Sequence, residues 1–116
     1  MSALLRRRWE RYRKELDVVI TSSGGTTVRG RTQDLCEGGL GVVCDDLLSV
    51  GGDYGFTIAE VGDTPLVGTV RWCTAKAASA GNLIGVEFTG LSKAQAEALA
   101  DRIARWRSED APAEDA

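Results

Sequence analysis

Six short segments, rich in β-branched and other apolar residues and separated by glycine-containing turns, constrain the fold of this chain most strongly. They span residues 17–22, 26–33, 40–44, 54–59, 66–73 and 83–88. Segments of this length and composition are typical of strands. Six closely spaced strands in a chain of 116 residues predict a small antiparallel barrel, because closing the sheet removes the exposed edges that an open one would leave.

The sequence pattern changes after the last predicted strand. Ser92 and Gln95 have the spacing of a helix capping box. Apolar residues then recur at helical intervals, at Ala96, Leu99, Ile103 and Trp106. This pattern predicts an amphipathic helix that packs on the barrel, with a partner-binding helix as the alternative. The fold class is therefore all-β with a C-terminal helix, built on a six-stranded antiparallel β-barrel.

Three regions are predicted along the chain. Residues 1–15 form a flexible basic N-terminal arm, and residues 16–107 form the barrel and its helix. Residues 108–116 are small and acidic, so we expect a disordered tail there. The net charge of −3 argues against a general nucleic-acid binder, although the arm itself is strongly basic.

Two local features together suggest one anion-binding site. The first is the arginine cluster of the arm, formed by Arg6, Arg7, Arg8 and Arg11. The second is the glycine-rich segment 34–41, whose predicted turn over residues 34–39 carries Asp34, Cys36, Gly38 and Gly39. Guanidinium groups bind phosphates through paired hydrogen bonds and stack on flat bases, and glycine lets backbone N–H groups approach a phosphate closely. A ligand with phosphates and purine rings is the first hypothesis.

Enzymatic chemistry has little support in the sequence. The chain has no histidine, and its three cysteines lack the spacing of a zinc site or a disulfide framework. Such cysteine usage fits a reduced, cytoplasmic compartment. The glycine-rich segment lacks the Lys-Ser/Thr pair of a phosphate-binding P-loop, and no apolar run is long enough for a membrane helix. We therefore predict a binding protein rather than an enzyme, without metal or cofactor.

The arm and the turn also resemble the motifs of a known family. Arg7 and Arg11 have the spacing of an RxxxR motif, and residues 34–39 fit a [D/N]xSxxG motif except at its third position. With the later Gly-Thr-Val-Arg-Trp and Ile-Gly-Val-Glu-Phe strands, they resemble PilZ domains, which are bacterial receptors for cyclic di-GMP. The resemblance covers most of the chain and implies the same six-stranded barrel with a C-terminal helix.

The resemblance also implies roles for individual residues. Arg7 and Arg11 would contact phosphates and stack on guanine faces, and Asp34 would bond a guanine edge. The remaining positions would add charge, a small hydrogen-bonding side chain or the shape of the turn: Arg6, Arg8, Cys36, Gly38 and Gly39. The family usually has Ser where this chain has Cys36. A thiol is a weaker donor than a hydroxyl, and a lost neutral hydrogen bond costs about 0.5–1.5 kcal/mol.

Three functions remain open at this point. The favoured one is a cyclic di-GMP receptor that binds two ligands per chain, changes shape and regulates a partner protein of unknown identity. The second is a degenerate PilZ-like adaptor that binds only protein, which the change to Cys36 would favour. The third is a single-stranded nucleic-acid binder that stacks bases on Trp9, and the acidic net charge argues against it.

Overall fold

The computed structural model describes residues 12–46, 48–75 and 81–110. Seven strands and one helix occur in these ranges. In chain order they are β1 (Tyr12–Arg13), β2 (Asp17–Thr21), β3 (Thr27–Cys36), β4 (Gly39–Cys44), β5 (Asp53–Thr57), β6 (Leu66–Ala75), β7 (Asn82–Phe88) and α1 (Lys93–Asp110). No helix in this part of the chain combines the length and the apolar character that crossing a membrane requires.

Six of the strands close into a barrel. Around it, β3 pairs with β4, β4 with β7, β7 with β6, β6 with β5, β5 with β2, and β2 with β3, all antiparallel. The extra strand, β1, pairs with the last residues of β3. The structure thus confirms the predicted six-stranded antiparallel barrel with a C-terminal helix, and adds one short strand.

The core lies inside the barrel and under the helix. Alternate residues of each strand point inward, and the largest fully buried ones include Ile20, Leu35, Leu40, Val42, Phe56, Val70 and Ile84. From α1, Leu99, Ile103 and Trp106 join the same buried cluster. Each large apolar side chain that is fully buried contributes about 1.5–3 kcal/mol, so α1 is an integral part of the fold.

The predicted capping box holds the start of α1. The Gln95 backbone N–H donates to Ser92 Oγ, and the Ser92 N–H donates to Gln95 Oε1, each at 3.0 Å. The Gln95 side chain also donates from Nε2 to the Pro65 carbonyl at 2.9 Å. One side chain therefore both caps α1 and ties it to the turn between β5 and β6.

Described elements extend past both predicted boundaries of the barrel domain. The arm was predicted to run to residue 15, but Tyr12 and Arg13 already pair with β3. The disordered tail was predicted from residue 108, but α1 continues to Asp110. These two ends contact each other, because the Tyr12 ring stacks on Trp106 and the Tyr12 hydroxyl donates to the Asp110 carboxylate. Residues 1–11 and 111–116 lie outside the described part of the chain.

Candidate ligand-binding site

The structure describes only one half of the predicted site. The arginines Arg6, Arg7, Arg8 and Arg11 lie outside the described residues. The chain enters the described part at Tyr12, which follows Arg11 directly and pairs with Leu35 of β3, while Arg13 pairs with Asp34. Because these two residues pair with Leu35 and Asp34, the described chain begins beside the second half of the predicted site.

That second half is a hairpin rather than an extended loop. Asp34 and Cys36 belong to β3, Gly39 begins β4 opposite Cys36, and only Glu37 and Gly38 form the turn. The predicted turn over residues 34–39 is therefore too long. A bulge between Thr32 and Asp34 adjusts the register just before the site.

Asp34 and Cys36 lie on the outer face of the barrel. Leu35 between them is fully buried in the core, and successive strand residues point to opposite faces. Both outward residues are nevertheless covered, with only 9% of each exposed. A carboxylate and a thiol thus lie two residues apart in a sheltered position outside the barrel.

A row of paired residues crosses the outer face next to Asp34. Asp34 pairs with Gly41, Gly41 with Gly85, and Gly85 with Trp72. We call these four residues the glycine row. A Cβ atom on Gly41 would lie 3.0 Å from Asp34 Oδ1, and one on Gly85 would lie 2.2 Å from the Trp72 indole. The two glycines at its centre let neighbouring side chains lie close to the backbone, with the Asp34 carboxylate over Gly41 at one end and the Trp72 indole over Gly85 at the other.

Trp72 is the site feature that sequence reasoning left without a role. A bulge between Val70 and Trp72 places it opposite Gly85, and 39% of the residue is exposed, which is high for an indole on a strand. The available signal was Gly85 inside an apolar strand, since such a glycine often marks close approach by another group. The sequence alone does not show that β6 supplies that group.

Gly39 serves the packing of the barrel itself. A Cβ atom there would lie only 2.1 Å from the Val86 carbonyl oxygen, so β7 leaves no room for a side chain. Next to it, the Phe88 N–H donates to the Gly38 carbonyl at 2.9 Å and joins the hairpin turn to β7. The last glycine of the predicted motif is therefore required by the close approach of β4 and β7.

Two further polar side chains on the strands of the glycine row have hydrogen-bond partners. Glu87 lies opposite Gly39 and accepts from Arg71 Nε at 2.7 Å. Inside the barrel, burial raises the pKa of the Cys44 thiol, which donates to the Asp46 carbonyl at 3.2 Å. Among the described residues no group of His, Cys, Asp or Glu side chains could hold a metal ion.

Comparison with known proteins agrees with this architecture. A family model described as PilZ domain matches residues 5–105. Among curated protein sequences no match was found.

Solved structures with the same fold include three informative relatives. The Bacillus subtilis inhibitor of motility MotI/DgrA has a TM-score of 0.72 and 23% identity, with 90% of this chain and 52% of that chain covered. The PilZ domain of Escherichia coli YcgR with c-di-GMP has a TM-score of 0.68 and 16% identity, covering 91% and 97%. The K. pneumonia MrkH–c-di-GMP complex has a TM-score of 0.73 and 14% identity, covering 92% and 55%. The chain thus spans about half of MotI/DgrA and MrkH, and nearly all of the YcgR domain.

Proposed function

The chain belongs to the PilZ domain family, and on that premise we propose that it is a cyclic di-GMP receptor that couples binding to a conformational change and so regulates a partner protein. The proposal is of a cytoplasmic binding protein without catalytic activity or cofactor. The relatives YcgR and MrkH, whose structures contain c-di-GMP, support the choice of ligand.

The glycine row is the observation that carries the proposal. Trp72 is 39% exposed and offers the outer face of its indole for stacking, while the Asp34 carboxylate lies over Gly41 at the other end of the row. Stacking of a base on an aromatic side chain is worth about 1–3 kcal/mol. The Asp34 carboxylate is an acceptor only, which suits the N–H donors on the edge of a guanine. In this proposal, Arg7 and Arg11 bind the phosphates of the same ligand.

Calorimetry with cyclic di-GMP tests the proposal, with cyclic di-AMP as the comparison. We expect saturable binding of cyclic di-GMP and markedly weaker binding of cyclic di-AMP. Adenine lacks the ring N–H donor of guanine, so the Asp34 carboxylate would lose a partner while staying sheltered. Equal binding of both would show that Asp34 does not recognise the guanine edge, and binding of neither would refute the proposal.

The adaptor function remains the second candidate because of Cys36. The family motif has Ser at this position, and the residue is 9% exposed beside Asp34. A chain that has lost the ligand but kept the fold would bind a partner protein without cyclic di-GMP. The calorimetric experiment separates the two functions directly.

Position 36 gives a sharper test of ligand contact. Cys36→Ser restores a stronger donor and is expected to tighten cyclic di-GMP binding by about fivefold, the equivalent of one neutral hydrogen bond. Cys36→Val keeps similar bulk without the polar hydrogen and should weaken binding. Melting temperatures of both variants control for changes in the fold. Unchanged affinity in both would show that position 36 does not touch the ligand.

The positive charge of the arm predicts how many cyclic di-GMP molecules each chain binds. Two stacked cyclic dinucleotides bring four phosphate charges together, and Arg6 adds a cation next to Arg7 and Arg8. We expect calorimetry to give two ligands per chain, and Arg6→Leu to shift the ratio toward one. Arg105→Leu, on the exposed side of α1, is the matched control and should leave the ratio at two. A wild-type chain that saturates with one ligand would contradict this prediction.

A further inference from the structure

The first described residues contact a cluster of side chains at the end of α1. The Tyr12 and Trp106 rings stack with centroids 6.4 Å apart and planes 7° from parallel. The Tyr12 hydroxyl donates to the Asp110 carboxylate, and Lys14 Nζ lies 3.3 Å from Asp110 Oδ2. We call these four residues, Tyr12, Lys14, Trp106 and Asp110, the clasp.

Cations surround the aromatic pair of the clasp. Lys14 Nζ lies 5.6 Å from the centre of the Trp106 ring, and the Arg102 guanidinium carbon lies 5.8 Å from it. The Arg107 guanidinium carbon lies 5.9 Å from the centre of the Tyr12 ring. These distances suit cation–π attraction. The end of α1 therefore holds the first described residues by several independent contacts.

The hydrogen bond at the centre of the clasp persists across ordinary pH. Desolvation and the bond to Asp110 raise the pKa of Tyr12 to about 12. The same hydrogen bond, together with Lys14, lowers the pKa of Asp110. Between about pH 5 and 9 the phenol is thus neutral and the carboxylate is charged, which is the pairing that the bond needs.

The position of the clasp links it to the ligand site. Tyr12 follows Arg11 directly, and β1 pairs on its other side with Leu35 and Asp34. β1 is two residues long, and the residues that follow it also bond to β3, as in the Lys14 N–H to Gln33 carbonyl bond of 3.3 Å. The side-chain contacts to α1 add to these backbone bonds at the start of the described chain.

We infer that the end of α1 anchors the chain where the arginine arm joins the barrel: the clasp holds Tyr12, the residue after Arg11 in the sequence, opposite Leu35 of β3, so Tyr12 and Asp110 are positioning residues for the ligand. The inference rests on the proposed function. Because coupling between sites is reciprocal, a ligand held by the arm also stabilises the end of α1. Ligand binding should then slow amide hydrogen exchange in the last turn of α1.

Two conservative variants and one control test the inference in the full chain. Tyr12→Phe keeps the stacked ring and removes the hydroxyl, and Asp110→Asn removes the charge with little change of shape. Trp106 is left intact, because it is 6% exposed and part of the core. Asp101→Asn is the matched control, an exposed carboxylate on the same helix.

The first readout needs no ligand. Trypsin cleavage after Arg13 and Lys14, followed by mass spectrometry, reports how often β1 leaves the barrel. We expect both clasp variants to be cleaved there several-fold faster than the wild-type chain and the Asp101→Asn control. Equal cleavage rates in all four proteins would overturn the anchoring role of the clasp.

The second readout separates positioning from simple stability. We expect Tyr12→Phe and Asp110→Asn to weaken cyclic di-GMP binding about fivefold or more while melting temperatures stay close to wild type. Ligand should slow amide hydrogen exchange at residues 107–110 in the wild-type chain, and less so in the variants. A wild-type chain that binds while both variants bind equally well overturns the clasp alone. A wild-type chain that does not bind refutes the proposed function and the coupling together, and the cleavage rates still decide the anchoring.

Discussion

Replacing Arg7 and Arg11 together by alanine is expected to weaken cyclic di-GMP binding by about a hundredfold or more. Each guanidinium would make charge-assisted hydrogen bonds to phosphate worth about 1.5–3 kcal/mol, and each tenfold change in affinity corresponds to about 1.4 kcal/mol. Either single substitution should therefore cost at least about tenfold. Calorimetry at fixed ionic strength measures the change, because screening weakens exposed charge interactions as salt rises.

Two further variants make this result specific. Lysine at both positions should rescue binding poorly, since an ammonium lacks the planar fork that matches a phosphate and the flat face that stacks on a base. Arg105→Ala removes one arginine from the exposed side of α1 and should leave affinity unchanged. If the double alanine variant bound as tightly as the wild-type chain, the phosphate site would lie elsewhere.

Gly39→Ala is expected to destabilise the fold by about 3 kcal/mol or more, even without ligand. The added Cβ would lie 2.1 Å from the Val86 carbonyl oxygen, and neither backbone can move without breaking the pairing of β4 with β7. For a domain of this size the loss corresponds to a fall in melting temperature of about 10 °C or more. Thermal unfolding followed by circular dichroism measures it.

Gly62→Ala is the matched control for this prediction. A Cβ atom at Gly62 would meet nothing within 4 Å, and the residue is not among the glycines with positive φ, which are Gly25, Gly51 and Gly81. Its melting temperature should stay close to wild type or rise slightly, because alanine restricts the unfolded chain more than glycine does. A Gly39→Ala variant as stable as Gly62→Ala would show that β7 does not exclude a side chain there.

The barrel could be predicted because each of its strands is marked by the composition of its own segment. The apolar segments and the capping box at Ser92 predicted six strands and a helix, and the structure confirms both. The hairpin was harder, because Gly39 was interpreted as the end of a turn, although Gly41 was placed in the strand that follows. Both glycines lie within β4. Gly39 leaves room for the close approach of β7, and Gly41 lies under the Asp34 carboxylate. Sequence periodicity does not distinguish a glycine that turns the chain from one that makes room for a neighbour.

The contacts that link distant parts of the chain could not be predicted. The glycine row depends on which strands become neighbours, since Gly41 pairs with Gly85 only after the barrel closes. The clasp joins Tyr12 to Asp110. Both residues lie outside the predicted barrel domain, and a contact between residues so far apart in the sequence leaves no local pattern. Local sequence predicts elements, whereas these features arise from their packing.

A nuclear magnetic resonance titration of the ¹⁵N-labelled chain with cyclic di-GMP tests the central claim most directly. It reports binding and its location together. We expect saturable shifts of the Cys36, Gly41 and Gly85 amides and of the Trp72 indole N–H, with the amides of Gly25 and Gly62, which lie in other turns, unmoved. A spectrum unchanged at ligand excess, or shifts that spare the glycine row, would contradict the claim that this surface is a cyclic di-GMP site.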